Sequence, residues 1–182
     1  MSIRQSLLAI LDEGDCYGYQ LRVEFERRTG HSRSLNVGQV YATLDRLERD
    51  GLVLKLGANS TGHVYYAITD GGRLAVRDWF GIAMPSAALD ELALKVALAQ
   101  SLPRVDAAAV VALQRESTAA EVDALRREES AGAVARQLVG EAQLAAAEAE
   151  LGWLLRAEVL VRGSESFGLE AEPPRRGRPV RG

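Results

Sequence analysis

One stretch, residues 36–53, limits the fold more than any other part of the chain. Asn36 is suited to accept a hydrogen bond from the N–H groups of a helix's first turn, and Gly51 suits the left-handed residue that ends a helix. Between them, four apolar side chains recur at helical spacing and form one narrow stripe: Val37, Val40, Leu44 and Leu47. A β-prone run begins at Leu52. The sequence therefore predicts an amphipathic helix followed directly by a strand.

The face of this helix opposite the apolar stripe is polar and partly basic. At about 100° per residue it carries Gly38, Gln39, Ala42, Asp45, Arg46 and Arg49. Small residues near its beginning allow the backbone to approach a flat, charged partner. Taken alone, such a helix is more typical of a solvated surface. A DNA major groove is the alternative, and the neighbouring segments favour it.

Two further helices are predicted before this stretch and a hairpin after it. The first helix covers residues 3–11 and the second residues 17–28. Two strand-like runs, 52–56 and 63–68, are joined by a loop rich in turn-forming residues. Three helices followed by a hairpin is the order of a winged helix-turn-helix, in which the third helix enters the major groove.

The second half of the chain is rich in alanine and leucine and is predicted to be helical. Helices are expected over residues 89–100, 104–129 and 134–161. Their alanine-rich faces cannot form a broad core alone, which favours a two-fold homodimer; a monomeric bundle folded back on the winged helix is the alternative. The leucines predicted to hold the dimer together are Leu144, Leu151, Leu154 and Leu155.

The predicted fold class is therefore mainly α with a small β-hairpin, arranged in three segments. These are a winged helix-turn-helix domain over residues 1–83, a helical dimerisation and effector domain over 87–162, and a tail over 163–182. The tail is basic and rich in proline and arginine, so it is expected to be disordered. It is either a solvated tail or an additional source of phosphate attraction.

Composition argues against several classes of protein. The net charge of −3 over 182 residues argues against a protein that coats nucleic acid without selectivity. Cys16 is the only cysteine, which excludes an internal disulfide and suits a reducing cytoplasm. No apolar run approaches the roughly 18 to 20 residues that cross a bilayer. Cys16, His31 and His63 lack metal-ligand spacing, and no catalytic motif is present, so neither a cofactor, a metal nor an enzyme is expected.

Four motifs occur in a defined order: Tyr17-Gly18-Tyr19-Gln20-Leu21, the helix and strand of residues 38–53, the segment 65–73, and Asp90-Glu91-Leu92-Ala93-Leu94-Lys95. In this order they resemble the motifs of the PadR-like family of transcriptional regulators. The resemblance implies a homodimer that binds a partly palindromic operator, usually as a repressor, with the C-terminal helices holding the dimer together. The C-terminal region carries no ligand motif that matches the family.

The outward face and the resemblance together predict the residues that contact double-stranded DNA. Gln39 suits adenine, and Arg46 suits guanine or a phosphate; the alternative for both is solvation. Tyr41 either packs in the core or reaches a phosphate, and His63 is either a wing contact or an exposed histidine. The full predicted set is Tyr19, Gln20, Asn36, Gly38, Gln39, Tyr41, Ala42, Arg46, Lys55, Asn59, Ser60, Thr61 and His63.

Three large aromatic residues suggest where an effector would bind. Trp79, Phe80 and Trp153 stand out in a chain with few aromatics, and they are predicted either to line a cavity for a planar apolar ligand or to pack in the core. The leading function is a ligand-responsive DNA-binding regulator. The alternative is a winged helix that contacts protein in a larger assembly without sequence-specific DNA binding.

Overall fold

The computed structural model describes residues 2–58, 62–85, 89–127 and 134–170. Over these ranges the chain forms seven helices: α1 (Ser2–Leu11), α2 (Gly18–Arg28), α3 (Val37–Arg49), α4 (Asp70–Gly81), α5 (Leu89–Ser101), α6 (Ala107–Arg127) and α7 (Val134–Arg162). Three strands accompany them: β1 (Cys16–Tyr17), β2 (Val53–Ala58) and β3 (Val64–Ile68). The predicted fold class, mainly helical with a small antiparallel sheet, is confirmed.

The chain divides into two compact units. Among the described residues, the N-terminal unit contains those within Met1–Trp79, Ser101–Pro103 and Ser166–Gly182, and the helical unit contains those within Phe80–Gln100 and Arg104–Glu165. The two units divide between Trp79 and Phe80, whereas the first domain was predicted to end at residue 83, and two short pieces from the second half of the chain belong to the N-terminal unit.

The core of the N-terminal unit lies between α1, α2 and α3. Residues Leu8, Leu21, Phe25, Leu44 and Leu47 are all completely buried there. The buried side of α3 is the apolar stripe that the helical spacing predicts. Packing of this stripe fixes the direction in which the polar face of α3 points.

A three-stranded sheet adjoins these helices. Its order is β1-β3-β2 and both pairs are antiparallel, with Cys16 opposite Tyr66 and Val53 opposite Ile68. The β2–β3 hairpin is the predicted wing. The sequence did not predict β1, because a two-residue strand carries no periodic pattern.

The base of the wing is tied to the start of α4 by Thr69. The Thr69 hydroxyl donates to the Gly51 carbonyl at 2.8 Å and accepts from the Gly72 amide at 3.0 Å. Gly72 lies directly against the wing base: a Cβ on this residue would lie 2.6 Å from Ile68 Cγ1 and would also overlap the Leu52 carbonyl oxygen. The close approach of helix and strand therefore requires glycine at this position.

The helical unit packs around an apolar cluster of Leu92, Val96, Val111 and Leu154. Beside it lies a buried polar network that joins α6, α7 and the segment before α5. Glu150 Oε1 accepts hydrogen bonds from Gln114 at 3.0 Å and from Thr118 at 2.7 Å, and the Gln114 amide bonds both the N–H and the carbonyl of Met84. None of the helices described here is long and apolar enough to cross a membrane.

The beginning of the predicted disordered tail makes defined contacts, which corrects that part of the prediction. Residues 166–170, which we call the strap, lie on α2. The Phe167 amide donates to the Ser101 carbonyl at 3.0 Å, and Arg27 donates to the Gly168 carbonyl at 2.8 Å. The prediction failed because these contacts join residues far apart in sequence, which composition does not report. Residues 171–182 lie outside the described part of the chain.

Candidate nucleic-acid interface

Helix α3 begins at a side-chain cap. Asn36 has extended backbone angles, φ −71° and ψ 135°, and its Oδ1 accepts the Gly38 amide at 2.8 Å. This bond satisfies one of the N–H groups that a helix leaves free at its first turn. Asn36 is in the predicted DNA-binding set, and the cap shows a structural use for its Oδ1. A base contact from this residue would therefore fall to its Nδ2 group.

The other end of α3 stops at a glycine in the left-handed conformation. Gly51 has φ 70°, and the Leu52 amide returns to the Leu47 carbonyl at 2.9 Å. This closure ends the helix and turns the chain into β2. The Asn36 cap and the Gly51 turn therefore determine where α3 begins and ends.

The outward face of α3 is open to solvent. Gln39, Ala42, Asp45, Arg46 and Arg49 are all exposed, as are Gly38 and Asn36. The Arg46 Nε donates to the Ala42 carbonyl one turn earlier, at 3.0 Å. Arg49 lies on the same face, although it was not included in the predicted DNA-binding set. The helical spacing that selected Arg46 also selects Arg49.

The second and third helices meet where Gly18 faces Tyr41. A Cβ on Gly18 would lie 2.7 Å from Tyr41 Cε1 and from Cζ, so glycine is what allows the ring to lie across the start of α2. Tyr41 is half-buried. Packing is thus one role of Tyr41, and its contact with DNA stays a prediction. The glycine of the Tyr-Gly-Tyr motif is explained by this contact.

An aromatic stack lies near the tip end of the wing, where β1 adjoins the first residues of β3. The rings of Tyr17 and His63 are 4.4 Å apart and nearly parallel, and Tyr65 meets Tyr17 edge-on at 5.6 Å. Burial, chiefly, raises the pKa of Tyr17 above its usual value. His63 is half-buried, so it is not the fully exposed wing histidine that one of the two predicted alternatives describes.

Gln20 is removed from the predicted DNA contacts, because its side chain is buried and only 5% exposed. It lies one turn before Glu24 and two turns before Arg28, and all three belong to the buried flank of α2. A polar residue type suggested exposure, but its helical position determines burial. Tyr19, the neighbouring prediction, is half-buried with the Arg22 guanidinium 5.8 Å from its ring centre.

The wing places one predicted cation at the surface. Lys55 is exposed on β2, opposite Tyr66 of β3. The ladder is irregular between Lys55 and Ala58, where the register shifts. The predicted contacts Asn59, Ser60 and Thr61 at the wing tip lie outside the described residues.

The predicted effector residues fall in different surroundings. Trp79 is half-buried in the N-terminal unit, and Phe80 is buried in the helical unit. Trp153 packs against the apolar cluster of the helical unit, as its core-packing alternative describes. The effector cavity stays a prediction.

The predicted dimerisation residues separate into inner and outer positions. Leu154 is completely buried in the core of the helical unit, which removes it from any surface between protomers. Leu144 and Leu151 are half-buried, whereas Leu155 is 51% exposed. On the side of α7 away from the core, further apolar residues are exposed: Val134, Leu138, Val159 and Leu160. Periodicity identified the apolar positions but not which partner covers each.

Metal or thiol chemistry would use the His, Cys, Asp and Glu side chains. The described part of the chain holds no group of three or more His, Cys, Asp or Glu side chains arranged to bind a metal ion. Burial, chiefly, raises the pKa of the Cys16 thiol to about 12, so the thiol is protonated at neutral pH and is a poor nucleophile.

Helices α1 to α3 with the β2–β3 wing define a winged helix-turn-helix domain, a class in which the third helix reads DNA. The model of the PadR-like family of transcriptional regulators matches residues 7–78, a range that begins within α1 and ends within α4. The resemblance to the PadR-like family found from the motifs is therefore confirmed over residues 7–78. A comparison with curated proteins gives no match.

Solved structures of transcriptional regulators are similar at low identity. A regulator from Clostridium thermocellum is 26% identical, with a TM-score of 0.40, over 42% of this chain and 75% of that chain. PadR from Bacillus subtilis in complex with operator DNA is 22% identical, with a TM-score of 0.43, over 88% of this chain and 99% of that one. The same protein in complex with p-coumaric acid is 21% identical, with a TM-score of 0.39, over 90% and 97%. Superpositions as loose as these add nothing to what the motifs establish.

Proposed function

We propose that this protein is a homodimeric transcriptional repressor that binds a partly palindromic DNA operator through α3 and the wing. The observation that carries the proposal is the outward face of α3. It is exposed and polar along its length, and it is held by a buried apolar stripe and by a cap at each end. A rigid helix with short side chains at its beginning fits a major groove.

Two long polar side chains on this face are proposed to read the DNA. Gln39 has the donor and acceptor pair that matches adenine, and Arg46 has the paired donors that match guanine or a phosphate. Gly38 and Ala42 let the backbone come close to the groove. Lys55 is proposed to contact the phosphate backbone from the wing, which fixes position rather than sequence.

The outer face of α7 supports the homodimer. Leu138, Val159 and Leu160 are 66%, 70% and 74% exposed, on the side of the helix opposite the buried Leu154. Apolar side chains gathered on one exposed helix face indicate a surface that a partner covers. A two-fold axis through this surface presents two α3 helices, which on a palindromic site would lie about 34 Å apart.

Repression and a small-molecule effector complete the proposal. A dimer on an operator represses by occupying DNA that the transcription machinery needs. An effector would act only by binding the DNA-competent and the DNA-incompetent dimer with different affinity.

Charge reversal on the proposed interface tests DNA binding. We expect Arg46→Glu with Lys55→Glu to abolish binding to duplexes from the region upstream of the protein's own gene, measured by fluorescence anisotropy at low salt. Arg127→Glu with Arg136→Glu, two exposed arginines of α6 and α7, is the matched control and should retain binding. An equal loss of DNA binding in both variants would show that binding depends on net charge and not on the positions of Arg46 and Lys55. Unaltered binding in the first variant, or none in the native protein, would favour the protein-contact alternative.

A further inference from the structure

The outward face of α3 carries its side chains in two rows. Gln39 and Arg46, two helical turns apart, form one of them. The members of the other row follow one another at spacings of four, three and four residues, so they lie one above another along the helix: Gly38, Ala42, Asp45 and Arg49. All of them are exposed. The second row therefore presents a carboxylate within the surface that is proposed to enter the major groove.

The carboxylate of Asp45 is not neutralised by the arginines beside it. Arg46 follows it directly, but the Arg46 Nε donates to the Ala42 carbonyl at 3.0 Å. Arg49 lies one turn later, at the spacing of a helical ion pair. Within the described ranges, Asp45 nevertheless forms no ion pair and its side chain accepts no hydrogen bond. Its acceptor oxygens are therefore free to bond a partner outside the chain.

Asp45 lies toward the wing side of its row. Burial, chiefly, raises the pKa of Tyr66 on β3, and the negative charge of Asp45 adds to this effect. Lys55 lies opposite Tyr66 on β2, yet no ion pair joins Lys55 to Asp45 in the described part of the wing. The carboxylate thus lies between the recognition helix and the wing without a cation committed to it.

The residues that precede Asp45 in its row allow a short side chain to reach a base edge. Gly38 has no side chain and Ala42 has a single methyl group, so neither holds a partner away from the helix. A Cβ on Gly38 would meet only Asn36 Oδ1, at an ordinary 3.4 Å, so packing within the protein does not require glycine there. Close approach of a partner to the backbone is the use that remains for it.

A carboxylate in the major groove is unfavourable unless it finds a hydrogen-bond donor. Phosphates repel it, and entry into the groove removes part of its hydration. An ionised carboxylate only accepts hydrogen bonds. Cytosine presents a donor amino group there, whereas adenine presents its amino group beside an acceptor nitrogen, and guanine and thymine present acceptors. Cytosine is therefore the base that best matches an aspartate.

We propose that Asp45 is a specificity-determining residue that accepts a hydrogen bond from the amino group of one cytosine in each half-site. The inference rests on the DNA-binding function proposed above and adds a third reader to Gln39 and Arg46. Its selectivity comes mainly from the wrong sequences, because another base at this position leaves the carboxylate desolvated without a donor. Asp45 thereby lowers the affinity for unrelated DNA.

Selection from random duplexes, followed by anisotropy titrations with the enriched duplex, tests the inference. The native chain should enrich a cytosine at one position of each half-site, and replacing that cytosine should weaken its binding by about 5- to 150-fold. We expect Asp45→Ala to lose the preference at that position alone and to bind a duplex of unrelated sequence several-fold more tightly than the native chain. A variant that still enriches the cytosine, or that loses every position of the motif equally, would overturn the proposal.

The substitution Asp45→Asn tests the chemistry of the contact without changing the size of the side chain. An amide donates as well as accepts, and asparagine matches the paired donor and acceptor of adenine. We expect the enriched base at that position to change from cytosine to adenine. Continued enrichment of cytosine would show that the carboxylate is not what is read.

Two further variants separate Asp45 from its surroundings. Glu48→Ala removes the same charge from an exposed position on another side of α3, and it should enrich the native motif. Arg49→Gln removes the arginine at ion-pair spacing from Asp45, and it should keep the cytosine whatever its effect on affinity. Loss of the cytosine in either variant would assign the preference to net charge or to Arg49 and would contradict direct reading by Asp45.

The same selection distinguishes failure of this inference from failure of the proposed function. If the native chain enriches no motif, sequence-specific DNA binding fails, and the role of Asp45 fails with it. If the native chain enriches a motif that Asp45→Ala reproduces at every position, only the role of Asp45 fails.

Discussion

Two neighbouring glycines show how closely single residues determine this fold. Gly71 and Gly72 both lie in the first turn of α4, yet their surroundings differ. A Cβ on Gly71 would meet its nearest neighbour, Thr69 Oγ1, at an ordinary 3.6 Å, whereas on Gly72 it would overlap the backbone of Leu52. The Leu52 carbonyl belongs to the backbone, so it cannot move away from an added Cβ as the end of a flexible side chain can.

We therefore expect opposite results from one substitution at these two positions. Gly72→Ala should lower the free energy of unfolding by about 1 to 3 kcal/mol, because overpacking separates α4 from the wing base. Gly71→Ala should be neutral or should stabilise by up to about 1 kcal/mol, because alanine favours helix. Urea denaturation followed by circular dichroism measures both. Equal stability of the two variants would contradict the close approach of helix and strand.

Residue type predicted exposure well where a helix has one clear apolar stripe and poorly where it does not. In α3, the buried apolar stripe and the exposed polar face both lie where the sequence predicts them. In α2, Gln20 was expected outside because it is polar, but Glu24 and Arg28 on the same flank are buried as well. These two bury each other's charge, and the sequence gives no sign that such a pair lies inside.

At the scale of elements, α7 illustrates how one helix can have two different faces. Its inner face holds Leu154 in the apolar core and Glu150 in the buried polar network, while its outer face exposes Val159 and Leu160. The buried carboxylate accepts two side-chain hydrogen bonds, from Gln114 and Thr118. Removing it would leave both donors without this acceptor.

Truncation of that carboxylate should destabilise the helical unit. We expect Glu150→Ala to lower the free energy of unfolding by about 2 to 3 kcal/mol, because two buried hydrogen bonds are lost together and their donors are left without this acceptor. Glu148→Ala is the control, since Glu148 pairs with Arg126 at the surface, where such pairs contribute little. Thermal unfolding measured by circular dichroism compares the two variants. A smaller loss for Glu150→Ala than for Glu148→Ala would contradict the network.

Element positions were largely predictable, and the exceptions have physical reasons. The described helices and the wing follow from periodicity, caps and glycines that act within a few residues. Strand β1 has only two residues and exists because β3 lies beside it. The strap depends on contacts between residues 141 positions apart, as in the bond from Arg27 to Gly168. Neither β1 nor the strap produces a pattern in the nearby sequence that would predict it.

At the scale of the molecule, the proposed dimer depends on the outer face of α7. We expect Leu138→Glu with Val159→Glu to halve the mass measured by light scattering while the helical circular dichroism is retained. Leu113→Glu on α6 is the control, because Leu113 is also exposed but lies on another helix. A variant that keeps the native mass would show that this face is not the dimer surface.

The candidate site was predictable in outline but not in its partners. Sequence identified α3, its cap and the exposed positions of Gln39 and Arg46, because these depend on one helix. The orientation of a second protomer depends on contacts between chains. The cavity proposed for an effector depends on how distant segments pack. For the protomer arrangement and the effector cavity, the sequence shows which residue types are present but not which residues they contact.

Selection from a pool of duplexes with a random central region tests the central claim most directly. The native protein is incubated with the pool, bound duplexes are recovered over several rounds, and the enriched sequences are read. We expect a two-fold-symmetric motif whose half-sites lie about 10 to 10.5 base pairs apart, centre to centre, or a multiple of this. Gln39→Ala with Arg46→Gln should lose that motif while retaining weak binding. Binding by the native protein without enrichment of any motif would contradict sequence recognition by α3.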